Sequence, residues 1–236
     1  MSEVPVESYR WQAFPSRETL AAALAAETAS SLQAAVRAKG HGLLAVSGGA
    51  TPELFFGRLA QQPIDWDPVV VTLCDERFVE PSSPRSNEGL ARRALLQGSA
   101  AQARFVPLFR PTATAEEAAR QAATAFAALP LPLDVAVLGM GEDGHTASFF
   151  PDSPDLERAL DPQGAKPVMV MRAPSAGEPR LTLTLPVLAK ARRLILHIEG
   201  DKKREAFDRA LRAEPPSPVR AVIEQAERPV EVFWAP

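Results

Sequence analysis

A doubly wound, mostly parallel α/β sheet with helices on both faces, Rossmann-like in plan, is the fold the sequence predicts, on three observations. Short apolar runs alternate with helix-length segments along the whole chain. The run at residues 133–138, LDVAVL, has no charge after Asp134, as expected for a strand buried on both faces. It ends in three glycines within six residues, Gly139, Gly141 and Gly144, with Glu142, Asp143 and His145 among them. A titratable cluster at the carboxyl end of such a strand is where open α/β sheets place their chemistry.

The elements follow in order. An edge strand is expected at residues 8–13. Leu20, Leu24, Leu32 and Val36 then recur at helical spacing in a packing helix that Gly40 closes. His41, in the turn, reads as solvated. Residues 42–46 form a strand followed by SGGATPE, in which Thr51 is expected to cap a helix starting at Pro52. Strand, glycine turn and helix N-terminus together favour an anion, although GxxxxGK and GxGxxG are both absent. Residues 69–74 make the next buried strand, ending in Cys74, an inert buried thiol. Asp75, Glu76 and Arg77 follow at its carboxyl end, and residues 83–87 lead into a helix that Gly98 ends.

A third strand covers residues 104–108. Thr114 with Glu117 forms a capping box for a helix reaching Leu129. After the central glycine loop, residues 152–167 read as surface loop with one short helix. Residues 168–171 are a strand, and Arg180 stands just before the alternating run LTLTL. Residues 194–198 form a strand in which His197 reads as structural. Lys203 begins a helix after Gly200, residues 219–226 form the last helix, and 230–234 a closing strand.

Composition bounds what the chain does. Its 236 residues, 46% hydrophobic, suit one α/β domain over 1–236. A formal charge of -3 draws it toward neither nucleic acid nor membrane, so an anionic ligand needs local groups. The single cysteine excludes a disulfide framework and a multi-cysteine zinc site and fits a reducing cytoplasm. The N-terminus, MSEVPVESYR, lacks the basic start and apolar run of a signal peptide, and no stretch has membrane-spanning length. The expectation is a soluble cytoplasmic monomer.

The polar residues sort by chemistry. Ser47, Gly48, Gly49 and Thr51 of the first turn, with Arg180 and Lys203, are phosphate-holding types. His145 is the general acid–base candidate, Asp143 its orienting carboxylate, and Arg77 a stabiliser of a developing oxyanion. Asp75, in the same triplet as Arg77, belongs with that catalytic set. No His, Cys and carboxylate spacing fits a metal, so neither metal nor cofactor is expected.

In SGGATP, DERFV followed by Ser86 and Asn87, GMGEDGHTASFFP, PRLTLTLP and GDKK, the chain resembles the 6-phosphogluconolactonases over essentially its full length. The resemblance implies cofactor-free hydrolysis of 6-phospho-D-glucono-1,5-lactone to 6-phosphogluconate in the pentose phosphate pathway, on the fold shared with glucosamine-6-phosphate deaminases and ribose-5-phosphate isomerases. It places the catalytic histidine on His145, the active-site arginine on Arg77, and the phosphate-binding residues on Arg180 and Lys203. One departure precedes Arg180: the family usually carries consecutive prolines there, and this chain reads PSAGEPR. The rival within the fold is an amino-sugar phosphate deaminase or isomerase, whose HIAFNEP-like segment carries a glutamate. Residues 145–151 here, HTASFFP, carry none. A sugar-phosphate sensor is the rival from another class, but no segment has the charge or helix-turn-helix pattern of a DNA-binding module.

Overall fold

The computed structural model describes residues 8–236, and the signal-peptide reading rests mainly on residues 1–7, which lie outside them. β1 (Tyr9–Ala13) leads to α1 (Arg17–Lys39). Ser16 caps α1 by accepting the Thr19 N–H, while the Thr19 hydroxyl accepts the Ser16 N–H, and Gly40 ends the helix at φ 79°. Next come β2 (Gly42–Val46), α2 (Glu53–Ala60), β3 (Val69–Leu73), β4 (Asp75–Arg77), α3 (Asn87–Ala94), β5 (Arg104–Val106) and α4 (Ala115–Ala127). The second half runs β6 (Val135–Leu138), α5 (Leu156–Ala159), β7 (Val168–Met171), β8 (Arg180–Leu183), α6 (Leu185–Ala189), β9 (Arg193–Glu199), α7 (Asp201–Arg212), α8 (Pro218–Gln225) and β10 (Val230–Ala235).

Seven strands form one parallel sheet in the order β1-β10-β9-β6-β2-β3-β5. β2, β3 and β6 are buried at every position, which is why they read as unbroken apolar runs. The fold is the doubly wound α/β class that the alternation of elements predicts. β1 is the expected edge, and β10 slots between it and β9.

Four local expectations need correction. The Asp75, Glu76, Arg77 triplet is not a loop on the main sheet's edge. It is β4 of a second, three-stranded antiparallel sheet, β4-β8-β7. The chain leaves β3 at Cys74, whose N–H bonds to Val46 while its carbonyl accepts from Leu183, and so passes from one sheet to the other. The LTLTL strand begins at Arg180 and stops at Leu183, because Thr184 is the N-cap of α6, in whose first turn Pro186 needs no N–H partner. The cap of α2 falls on Pro52, not Thr51, with no side-chain bond. At α4 only half of the capping box forms: Thr114 accepts the Glu117 N–H, but the Glu117 carboxylate turns to Arg120 and Gln121.

Asp134, the lone charge at the start of the central run, is 3% exposed and ties three elements together. Its carboxylate accepts the Leu43 N–H of β2 at 2.8 Å and pairs with Lys39 of α1 at 2.9 Å and Arg192 before β9 at 3.5 Å. Replacing it by Ala leaves the Leu43 amide unmet. The expected loss is about 2–3 kcal/mol of unfolding free energy, read from the urea midpoint; an unmoved midpoint would contradict it.

Candidate functional site

β2 and β6 are hydrogen-bonded neighbours, with Val46 opposite Val137. From β2 the chain proceeds to β3 on one side, while from β6 it proceeds to β9 on the other. Strands whose connections diverge in this way leave a crevice beyond their carboxyl ends. A cleft of about 390 Å³ lies there, lined by Ser47, Gly48, Gly49 and Thr51 after β2 and by Gly139, Gly141 and His145 after β6. Asp75, Arg77, Arg180 and Lys203 line the same cleft. The structure thus brings together nine of the ten site residues that the sequence singles out, and the tenth, Asp143, stands directly behind His145.

The Gly139–Phe150 segment is folded to present the imidazole. Asp143 Oδ1 meets His145 Nδ1 at 2.6 Å and also accepts the His145 N–H at 3.1 Å. Burial pushes the Asp143 carboxyl up, but its hydrogen bond and attraction to His145 outweigh that and hold it below the usual range. An ionised carboxylate only accepts, so Nδ1 donates in this bond, and the neutral tautomer that the bond favours carries its lone pair on Nε2. A Cβ on Gly141 would lie 2.2 Å from His145 Nδ1 and 2.4 Å from Asp143 Oδ1, so only glycine admits this pair. The next turn is braced by Thr146, whose hydroxyl donates to Gly139 O at 2.8 Å, and by Ser148, whose hydroxyl donates to Asp75 Oδ2 at 2.6 Å. Between them Ala147 sits at φ 48°, a left-handed conformation costing an L-residue about 1–2 kcal/mol.

Opposite stands an uncommon pairing of like charges. In the antiparallel register of β4 and β8, Arg77 lies directly across from Arg180. Arg180 is 8% exposed, and burial together with the Arg77 guanidinium pulls its pKa down. Its Nε has no partner, as is also true of Arg77 Nε. The PSAGEP segment makes a 3-10 turn and supplies Glu178, which pairs with Arg85 at 2.6 Å and approaches Arg180 only to 3.5 Å. Lys203, in the first turn of α7, donates to Met140 O at 2.8 Å and so joins the second glycine loop.

Two contributors were given no role from the sequence alone. Phe150 packs its ring 4.5 Å from that of His145 and carries the Arg180 guanidinium 5.4 Å from its centroid. Imidazole and guanidinium are therefore no farther apart than those two distances laid end to end. Asn87 accepts from Arg77 Nη1 at 2.9 Å and donates to Asp75 O at 2.8 Å. Its sequence signals were its place in the motif after DERFV and directly after Ser86, which caps α3. His197 is held by Glu199 at 3.0 Å and packs edge-on to Phe55, as a structural histidine would, though it borders the cleft. Burial drives the Cys74 thiol far up, which leaves it inert. Among the described residues, no group of three or more His, Cys, Asp or Glu is placed to hold a metal ion, and no helix is long and apolar enough to cross a membrane.

Fold and cleft together define an open α/β protein with a histidine–carboxylate pair facing one buried and one half-buried arginine at the carboxyl edge of its sheet. The profile of the family described as glucosamine-6-phosphate isomerases/6-phosphogluconolactonase matches residues 15–234, and the chain belongs to that family. It is similar to the 6-phosphogluconolactonase of Mesorhizobium japonicum, 56% identical over 229 residues that cover 97% of this chain and 96% of that relative. The 6-phosphogluconolactonase of Rhizobium meliloti is 49% identical over 225 residues, covering 94% and 97%. Among solved structures, a 6-phosphogluconolactonase from Shewanella baltica OS155 superposes with a TM-score of 0.95 at 39% identity over 100% of both chains.

Gly141→Ala should split the Asp143–His145 pair and lower turnover by about 10²-fold while the melting temperature changes little; wild-type turnover would refute the packing argument. Asp143 also predicts an acid limb. Its folded pKa is depressed, so its stabilising contribution is complete above the unfolded value, about 3.9, and is lost as pH falls through the folded one. Melting temperature against pH should fall less steeply on that limb in Asp143→Asn than in the parent, and identical curves would contradict it.

Proposed function

We propose that the chain hydrolyses 6-phospho-D-glucono-1,5-lactone to 6-phospho-D-gluconate, a step of the pentose phosphate pathway, in a single domain spanning 1–236. The observation that carries the reading is an imidazole whose Nδ1 is bound to Asp143, across a cleft from Arg77 and Arg180. A strained ester bearing a phosphate needs those two things: a base for water and fixed positive charge for anions. Belonging to the family adds its weight to the same side.

In this mechanism the phosphate rests between the Ser47–Thr51 turn, Arg180 and Lys203. Such partly buried cations, freed from bulk water, hold a dianion well. C1 of the lactone then lies near His145. Nε2 accepts a proton as water oxygen bonds to C1, and the resulting imidazolium is stabilised by the Asp143 carboxylate. The oxyanion at C1 is met by Arg77. Asp75 lines the cleft with one oxygen taken by Ser148, and in this reading its other oxygen accepts from a sugar hydroxyl. The carbonyl re-forms, the bond from C1 to the ring oxygen breaks, and the imidazolium returns its proton to that oxygen, leaving a hydroxyl and a carboxylic acid that ionises.

The positions after His145 also bear on the rival deaminase chemistry. Thr146 and Ser148 are turned inward to Gly139 and Asp75, and no carboxylate follows the histidine where a ring-opening relay needs one. In this reading the chain is a monomer acting in the cytoplasm on a phosphosugar lactone, and its formal charge of -3 gives no pull toward nucleic acid or membrane.

His145→Ala should reduce kcat by about 10²–10⁴-fold with little change in KM, in an assay following acid release from the phosphorylated lactone. Unchanged turnover would discard the mechanism. Arg180→Ala should chiefly raise KM for that substrate and leave the slow hydrolysis of unphosphorylated gluconolactone as it was; equal loss on both lactones would remove Arg180 from the phosphate site.

A further inference from the structure

We propose that Glu76, a carboxylate sealed away from the cleft, is the positioning residue of Arg77, and that with Asn87 it forms a buckle aiming the guanidinium at the reacting carbonyl. The inference rests on the role given to Arg77 above. Glu76 is fully buried, and no cation pairs with it among the described residues. Four donors meet its charge instead: the N–H groups of Arg77 and Asn87, both at 2.8 Å on Oε1, and the Glu88 N–H at 2.7 Å and the Ser86 hydroxyl at 3.0 Å on Oε2. Asn87 and Glu88 open α3, so the carboxylate also sits at the positive end of that helix. A buried acid held this way is stable only while every donor stays in place.

What the arrangement enforces is specific. A single oxygen, Oε1, takes the N–H of Arg77 and the N–H of Asn87, which sets these two backbones at one separation. At that separation their side chains meet, with Arg77 Nη1 donating to Asn87 Oδ1 at 2.9 Å. The same Nη1 donates to Arg85 O, so Nη1 is consumed by protein. Nη2 has no protein partner among the described residues and is the nitrogen left for the cleft. Asn87 is wedged in turn: its amide donates to Asp75 O, and its side chain leaves so little room that a Cβ on Gly48 would fall 1.9 Å from Oδ1. The first glycine turn, β4 and α3 are thereby closed into one unit, with Glu76 at its centre. Ordinary core packing would call for an apolar residue at this point. An apolar side chain would strand three amides and release the arginine from Asn87, its one side-chain acceptor among the described residues.

The test is a double-mutant cycle on the intact enzyme, with kcat, KM and melting temperature measured for the parent, Glu76→Gln, Arg77→Ala and the double variant. Glutamine keeps the shape but sets its own N–H₂ against one pair of donors. With Arg77 in place, the expected result is a fall in kcat of at least about tenfold, the scale of one lost charge-assisted hydrogen bond, with KM within about twofold. In the Arg77→Ala background the same substitution should change kcat by less than about twofold, because there is no guanidinium left to aim. Equal losses in both backgrounds would overturn the proposal and leave Glu76 a structural group. Wild-type kcat in Arg77→Ala alone would overturn the role of Arg77 itself, and the proposal with it. If Glu76→Gln does not fold, Asn87→Ala keeps every bond of Glu76 to the backbone and must show the same coupling to Arg77.

Discussion

The site depends on the parting of two paired strands. β2 and β6 share a ladder, yet the chain leaves them toward opposite sides of the sheet, so the loops that follow cannot pack over one another. The cleft is the space this leaves. Both loops are glycine-rich for a steric reason: Asn87 presses against Gly48, and the His145–Asp143 pair presses against Gly141. The glycines are the room into which functional side chains are folded back.

Onto that crevice the second sheet brings positive charge. Placing Arg77 across from Arg180 puts two guanidiniums together in a poorly solvated place, an arrangement that works against folding unless an anion or acceptors offset it. The acceptors present are few and mostly neutral: Asn87 Oδ1, Arg85 O and Ala176 O, with Phe150 under one guanidinium. Glu178 gives its better contact to Arg85. Neither guanidinium is therefore fully matched by protein acceptors. The departure in the segment before Arg180 leaves its backbone in strand register opposite Arg77, while the segment itself supplies Ala176 O and Glu178 to the guanidinium.

Much of this was legible in the sequence, and the failures have a common cause. The glycine loops, the His145–Asp143 spacing and the helix at Lys203 are local features, decided within a few residues by backbone freedom and side-chain reach. The second sheet was missed because Asp75, Glu76 and Arg77 resemble a solvated triplet until β8 supplies a ladder from far along the chain. Phe150 looked like one more apolar residue until Arg180 was laid on its ring. Thr51 had the chemistry of a cap, but the turn admitted one more residue before α2 began.

The sequence by itself determined the parallel core, the two glycine turns, the histidine with its carboxylate and the family to which the chain belongs. The family is carried by the likeness of its motifs, and the rest follow from periodicity, conformational preference and short-range hydrogen bonding, all of which act between near neighbours. Only the tertiary structure decided that β4 and β8 pair antiparallel, that two arginines consequently face one another, and that Glu76 turns inward to hold one of them. Strand pairing between distant segments is selected by the burial of the whole molecule, and no window of residues carries that information.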